Sequence, residues 1–150
     1  MPSVRQTLLD YLATYLAGEL TTGNGYNYTV AQVARGLKYP EEISGDGFPA
    51  IFISTSDEQR NNIGRFQFKA KINVAFFCMV KNDAGTTGVQ AQLDKIVADL
   101  GKALEKDRTQ NGIVLWSSID RIKTDAGDSE TYAVAMLDAA FNYTQSGVTP

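Results

Sequence analysis

The segment from Phe66 to Cys78 constrains this chain more than any other. Its even-numbered residues are all apolar, whereas its odd-numbered residues are polar up to Asn73 and apolar from Ala75 onward. Alternation with period two predicts a β-strand with one buried face. The loss of this alternation after Asn73 predicts that the second face is also buried from there onward. At about 3.3 Å per residue the segment would span about 45 Å, more than the diameter of about 38 Å of a compact domain of this length. We therefore expect the strand either to bend at a bulge or to project beyond its own domain toward a partner.

Length and charge limit the classes to which the chain can belong. Its 150 residues predict a single domain over 1–150. The net charge of -3 disfavours a protein that binds nucleic acid by neutralising phosphates. The N-terminus lacks a secretory pattern and no apolar run approaches the ~20 residues of a membrane span, so we expect no membrane partner. The one basic concentration, which we interpret as a solvated face, consists of Arg60, Arg65, Lys69, Lys71 and Lys81.

Apolar residues at helical spacing predict two amphipathic helices, one from Val4 to Leu16 and one from Val89 to Lys106. Period-two or β-rich segments predict strands beside the long one. These strands are Tyr26–Arg35, Ala50–Ile53, Ile113–Lys123 and Thr131–Tyr143.

The connections are predicted from polar residues, glycine and proline. They are loops at 37–47, 56–64 and 81–87, turns at 111–112 and 125–129, and a flexible tail at 144–150. The resulting order α-β-β-β-α-β-β predicts an α+β fold, with two main helices on a mostly antiparallel sheet of about four to five strands.

Both faces of the predicted sheet are rich in apolar residues. The last strand has Val134 and Met136 on one side and Leu137 and Phe141 on the other, and Asp138 is the one odd charge. If both helices covered one face, the other would expose large side chains and mark a partner surface. One helix on each face would instead give a monomer. Asp138 would either pair with a nearby basic group or face a subunit contact.

Catalytic chemistry finds little support in this composition. The chain has no histidine, which removes the usual proton-transfer group and the Ser-His and Cys-His nucleophile pairs. Its single cysteine, Cys78, lies on the apolar face of the long strand and is expected to be buried. The candidate carboxylate groups fall in predicted loops and at the hairpin tip, without a metal-binding spacing: the adjacent pairs Glu41–Glu42 and Asp57–Glu58, and the group Asp125, Asp128 and Glu130. We therefore predict no enzyme, no cofactor and no metal.

The chain resembles the tail terminator proteins of long-tailed bacteriophages over most of its length, from Val4 to Tyr143. The similar segments are the opening helix and the proline-led strand, the long strand, the second helix and the closing strand. In this sequence they read VRQTLLDYLATYL, FPAIFIST, FQFKAKINVAFFCMV, VQAQLDKIVADLGKAL and TYAVAMLDAAFNYTQ.

This resemblance implies a structural virion protein at the head-tail junction, assembled in the host cytoplasm. Six subunits would form a homohexameric ring on the last ring of the tail tube, stop tube polymerisation and contact the neck or connector proteins of the capsid. The genome DNA could pass through such a ring, without sequence-specific recognition. The family contributes no catalytic residue to this chain.

The predicted contact region combines the 56–64 loop with the basic start of the long strand. Charge changes from acidic to basic along it, and long loops on rigid scaffolds often make contacts. We expect an inter-ring or inter-subunit interface that comprises Asp57, Glu58, Arg60, Arg65, Lys69 and Lys71. Two other functions compete with a terminator: a head-completion or neck adaptor ring protein, and a cytosolic ligand-binding or regulatory domain.

Overall fold

A computed structural model describes residues 3–36, 47–65, 67–81, 86–125 and 132–146. It has two helices, α1 (Val4–Glu19) and α2 (Thr86–Lys106), and a short 3₁₀ turn at Thr22–Asn24. The strands are β1 (Gln32–Arg35), β2 (Ala50–Gly64), β3 (Gln67–Lys81), β4 (Trp116–Asp125) and β5 (Tyr132–Ser146). The predicted α+β class and element order are confirmed.

The described strands form one sheet in the order β1-β2-β3-β5-β4. β1 pairs in parallel with β2, and every other neighbouring pair is antiparallel. The three central strands are each 15 residues long, and β3 pairs with β5 along its whole length. The long strand predicted from the sequence therefore does not break, and two equally long strands flank it.

Both helices lie on the same face of the sheet, which we call the helix face. Helix α1 begins at the N-cap Ser3, whose hydroxyl accepts a hydrogen bond from the Gln6 amide at 3.1 Å. The Tyr15 hydroxyl donates to the Ala103 carbonyl at 3.0 Å and joins the two helices. Their apolar stripes share one core with the even-numbered residues of β3 and the odd-numbered residues of β5. Cys78 is fully buried in this core, as expected.

The other side of the sheet, which we call the open face, is shielded without a described helix. Phe52 is 1% and Met79 2% exposed, and they pack with Phe48, Phe77 and Val134. The expectation that helices on one face would leave several large side chains exposed on the other is met, among the described residues, only at Trp116, which is 51% exposed on the open face. Phe52 and Phe77 lie directly opposite each other on β2 and β3, so cross-strand contact contributes to the burial of Phe52.

Several boundaries differ from the sequence prediction. The residues 56–64, predicted as a loop, form the outer half of β2 and pair with β3 from Asp57↔Asn73 to Gly64↔Gln67. Only Gln32–Arg35 of the first predicted strand is a strand, because its preceding residues bond to helices and loops instead. The predicted flexible tail is partly ordered, since β5 pairs to Ser146.

Other predictions lie outside the described residues. They are most of the first loop with Glu41 and Glu42, the hairpin turn with Asp128 and Glu130, and the tail after residue 146. Neither α1 nor α2 has the length and apolarity that a bilayer-spanning helix needs.

Candidate interface

The predicted contact residues lie on a hairpin formed by the outer ends of β2 and β3. We call residues 57–64 of β2 and 67–73 of β3, with their connection, the distal hairpin. A register shift between Thr55 and Asp57 puts one extra residue into β2 where this hairpin begins. Such a bulge reverses the facing of all later residues of the strand. Asp57 therefore falls on the open face, whereas Glu58 and Arg60 fall on the helix face.

The six predicted residues consequently do not form one patch. On the open face, Lys69 and Lys71 join Asp57, because odd-numbered residues of β3 point there. Glu58 and Arg60 lie on the other face, and Arg65 is exposed at the turn. The hairpin thus offers different charges to a partner on each side.

A compact cluster holds the helix-face side of the distal hairpin. Glu58 accepts hydrogen bonds from the Tyr143 hydroxyl at 2.7 Å and from the Arg60 Nε at 3.0 Å. The Arg60 guanidinium lies 4.6 Å from the Phe68 ring centroid, and that ring meets Tyr143 edge-on at 6.1 Å. Because the carboxylate and the guanidinium satisfy each other, this side presents an ordered, partly neutralised surface.

Tyr143 anchors this cluster to the core. Its side chain is 3% exposed, and burial, followed by its hydrogen bond to Glu58, raises its pKa to about 12. The phenol therefore remains a hydrogen-bond donor throughout the physiological pH range. The charge of Glu58 is fixed in place by a neutral donor from β5.

The open face has its own polar pairs. Asp57 Oδ1 accepts from Asn73 Nδ2 at 2.6 Å, across β2 and β3. Asp138 Oδ2 accepts from Arg121 Nη2 at 3.2 Å and from Nε at 3.3 Å, so the odd charge of β5 pairs with a basic group of β4. Of the two alternatives left open for Asp138, the structure shows this one.

Two buried polar residues escaped the sequence prediction. Asp99 of α2 is 3% exposed and accepts from the Asn27 amide, the Asn27 side chain and the Tyr28 amide at 2.9–3.1 Å. Gln110 is fully buried, and its Nε2 donates to the Asp107 carbonyl at 2.7 Å. The sequence did indicate that Asp99 is buried, because Asp99 lies three residues after Ile96 and therefore within the apolar stripe of α2. Both residues fix loops and lie away from the distal hairpin.

The one cysteine of the chain, Cys78, packs in the core. Burial raises the pKa of the Cys78 thiol to about 12. Among the described residues, no three histidine, cysteine, aspartate or glutamate side chains converge on a possible metal site.

No protein-family model matches this chain, and no curated protein sequence matches it. Membership of the tail terminator family therefore stays a prediction that rests on the segments quoted above.

Proposed function

We propose that this chain is a structural virion protein, a tail terminator whose homohexameric ring caps the tail tube. The ring would stop tube polymerisation and join the tail to the neck of the capsid. One observation carries most of the proposal: the distal hairpin extends the sheet as a polar, exposed arm. Residues 59–65 are exposed, although they belong to or adjoin a strand whose inner half is buried.

The two faces of the distal hairpin suit a protein that binds the tail tube on one side and recruits no further tube subunit on the other. Termination requires one surface complementary to the tube and a second surface that recruits no further tube subunit. The helix-face side carries the neutralised Glu58–Arg60 pair, whereas the open-face side carries Lys69 and Lys71 beside Asp57, with Lys71 3.9 Å from Asp120. The charge difference between the sides supports two unlike contacts made by one hairpin.

The exposed arginines provide the first test. The double variant Arg60→Glu, Arg65→Glu should weaken association with the tail tube protein or within the ring by about ten-fold or more, since reversed charges at a contact repel their partners. Binding of each variant to purified tube protein can be measured by sedimentation, and thermal unfolding reports whether the subunit remains folded.

A matched control reverses two exposed charges away from the hairpin. Lys95→Glu, Arg108→Glu makes the same change in net charge on α2 and the turn after it. This variant should associate like the unchanged protein. If the hairpin double variant also associates normally while folded, the hairpin is not the contact.

A second experiment separates a terminator from a neck protein. The purified chain would be tested in separate pull-downs against the tail tube protein and the capsid connector. A terminator binds the tube protein and arrests its polymerisation, whereas a head-completion or adaptor protein binds the connector alone. Binding to neither would favour the cytosolic regulatory alternative.

A further inference from the structure

Strand β4 is an outer edge of the sheet, and it exposes large apolar side chains among its polar ones. Among the described residues, no strand pairs with its far side. Four large apolar side chains are exposed in the described part of the chain, and three lie on or beside β4. They are Leu115 at 53%, Trp116 at 51% and Ile122 at 49% exposure. An exposed edge with these residues is a candidate for pairing with another strand.

A bulge at Asp120 divides β4 into two halves. Ile119 pairs with Ala139, and Arg121 pairs with the adjacent Asp138, so Asp120 is one extra residue. Before the bulge the odd-numbered residues lie on the helix face, and after it the even-numbered residues do. Asp120 and Arg121 therefore both lie on the open face, where Asp120 approaches Lys71 at 3.9 Å.

This change of phase restricts which strand can pair with the outer edge. Paired residues of antiparallel strands must point to the same face. A regular strand matches one half of β4 and mismatches the other. An inverted copy of β4 changes phase at the same place, so every residue from 117 to 124 meets one of the same facing.

We propose that the outer edge of β4 pairs with β4 of a second copy of this chain. The two copies would be related by a two-fold axis normal to the sheet, which passes between Asp120 and Arg121. The two sheets, each of five described strands, would become one, with α1 and α2 of both copies on the same side. The proposal concerns the free chain and does not rest on the function proposed above.

The chemistry of β4 is self-complementary in this register. Asp120 lies opposite the partner's Arg121, and Arg121 opposite the partner's Asp120, so both central pairs have opposite charge. Ile119 lies opposite the partner's Ile122 on the helix face, where both are only partly covered within one chain. Opposite-charge and apolar cross-strand pairs are the stabilising kinds. In the remaining pairs, Ser117 lies opposite Thr124, Ser118 opposite Lys123 and Trp116 opposite Asp125.

The groove beside β4 supports the same partner. Ile119 and Ile122 line it together with Val97 and Ala98 of α2. Pairing would place the partner's Ile122 and Ile119 at this groove and remove apolar surface of both copies from water. The rim is acidic at one end and mixed in charge at the other, where Lys106 is already paired with Glu19 at 2.6 Å, so the groove contributes apolar surface to the pairing. The rim residues are Asp94 at one end and Lys102, Glu105 and Lys106 at the other.

Edge strands normally use bulges and charges to prevent pairing, and β4 has both. These features still exclude a regular strand, because its residues would face the wrong side beyond Asp120. They do not exclude an inverted copy, which carries the same bulge and the complementary charge. The edge therefore disfavours pairing with other strands and permits pairing with β4 of a second copy.

Two single variants and their mixture test this register. Asp120→Lys and Arg121→Glu each create two like-charged pairs across the axis, so each variant alone should dimerise about ten-fold more weakly or worse. An equal mixture should recover dimerisation, since the mixed pair has opposite charges at both positions. Sedimentation equilibrium would measure the mass against the 16.3 kDa of one chain, and circular dichroism would confirm folding.

Cross-linking gives an independent geometric readout. A mixture of Ile119→Cys and Ile122→Cys should form a disulfide between copies under mild oxidation, whereas either variant alone should form little. Buried Cys78 provides an internal control because it is inaccessible to a partner.

Three results would overturn the proposal. The unchanged chain could remain monomeric at concentrations up to about 0.3 mM, where a weak pair is detectable. It could associate while the charge variants fail to complement each other. The cysteine mixture could also remain uncross-linked while the mass rises, as head-to-tail assembly through another edge would give.

Discussion

Strand β3 passes through two different environments within 15 residues. From Val74 to Val80 it lies under both helices, and its even-numbered side chains are at most 3% exposed. From Gln67 to Asn73 it belongs to the distal hairpin, where Phe68 is only half-buried and Lys69 and Lys71 are exposed. The inner half is stabilised by apolar burial, whereas in the outer half only Ala70 and Ile72 are buried, and strand pairing and a few polar clusters contribute the rest. One strand thus contributes to both the core and the distal hairpin. The same kind of substitution should change the free energy of unfolding by different amounts in the two regions.

The largest expected difference comes from two phenylalanines on the same face of β3. Phe76→Ala should lower the free energy of unfolding by about 3–5 kcal/mol, because Phe76 is fully buried and the deletion leaves a cavity. Phe68→Ala should cost only about 1–2 kcal/mol, because the ring is half-buried and surrounding water can fill its place. Urea denaturation measures both, and equal losses would contradict the comparison.

Asp99 tests whether a polar anchor matters as much as apolar burial in the inner region. Asp99→Ala removes the acceptor of the Asn27 and Tyr28 amides and should cost about 2–4 kcal/mol. Asp94→Ala, at an exposed position of the same helix, is the matched control and should change stability by less than about 0.5 kcal/mol. Similar effects of the two variants would show that the buried carboxylate is dispensable.

Tyr143 joins the arm to the core, and its removal should have an intermediate effect. Tyr143→Phe deletes the hydroxyl that donates to Glu58 and should cost about 1 kcal/mol at neutral pH. Because the folded protein raises the pKa of this phenol from 10.0 to about 12, its contribution is complete below pH 10 and is lost as the pH rises toward 12.

The stability difference between the unchanged protein and Tyr143→Phe should therefore shrink over that alkaline range. Thermal unfolding at a series of pH values measures it. A constant difference would mean that Tyr143 does not titrate as a buried donor.

The smallest effect is expected at the tip of the arm. Ile63 is 55% exposed, so Ile63→Ala should change the free energy of unfolding by less than about 0.5 kcal/mol. Ile51 of the same strand is fully buried, and Ile51→Ala should cost about 2–5 kcal/mol. A large loss from the Ile63 variant would place the tip inside a packed contact within the chain.

The sequence predicted the inner region well because burial imposes periodicity. The alternation of β3, the stripes of both helices and the burial of Cys78 follow from one-sided contact with a core. The outer half of β2 lacked this signal, since both of its faces are polar and the bulge before Asp57 changes their phase. Its strand structure comes from pairing with β3, which a local pattern does not encode.

The candidate contact could be located from the sequence only in part. Charge and polarity indicated the right region, but they did not show that Glu58 and Arg60 face away from Lys69 and Lys71. The partners that decide this geometry are distant in sequence: Tyr143 lies 85 residues from Glu58, and Asn27 lies 72 residues from Asp99. Such contacts depend on the fold and are not visible in a window of neighbouring residues.

Native-state hydrogen exchange along β3 tests the division between core and arm most directly. Amides from Val74 to Val80 should exchange only through global unfolding, whereas those from Gln67 to Lys71 should exchange through local opening at a much lower free energy. A stepwise fall in protection near Asn73 is the predicted result. Uniform protection over the whole strand would contradict the account, because it would mean that the arm is as firmly held as the core.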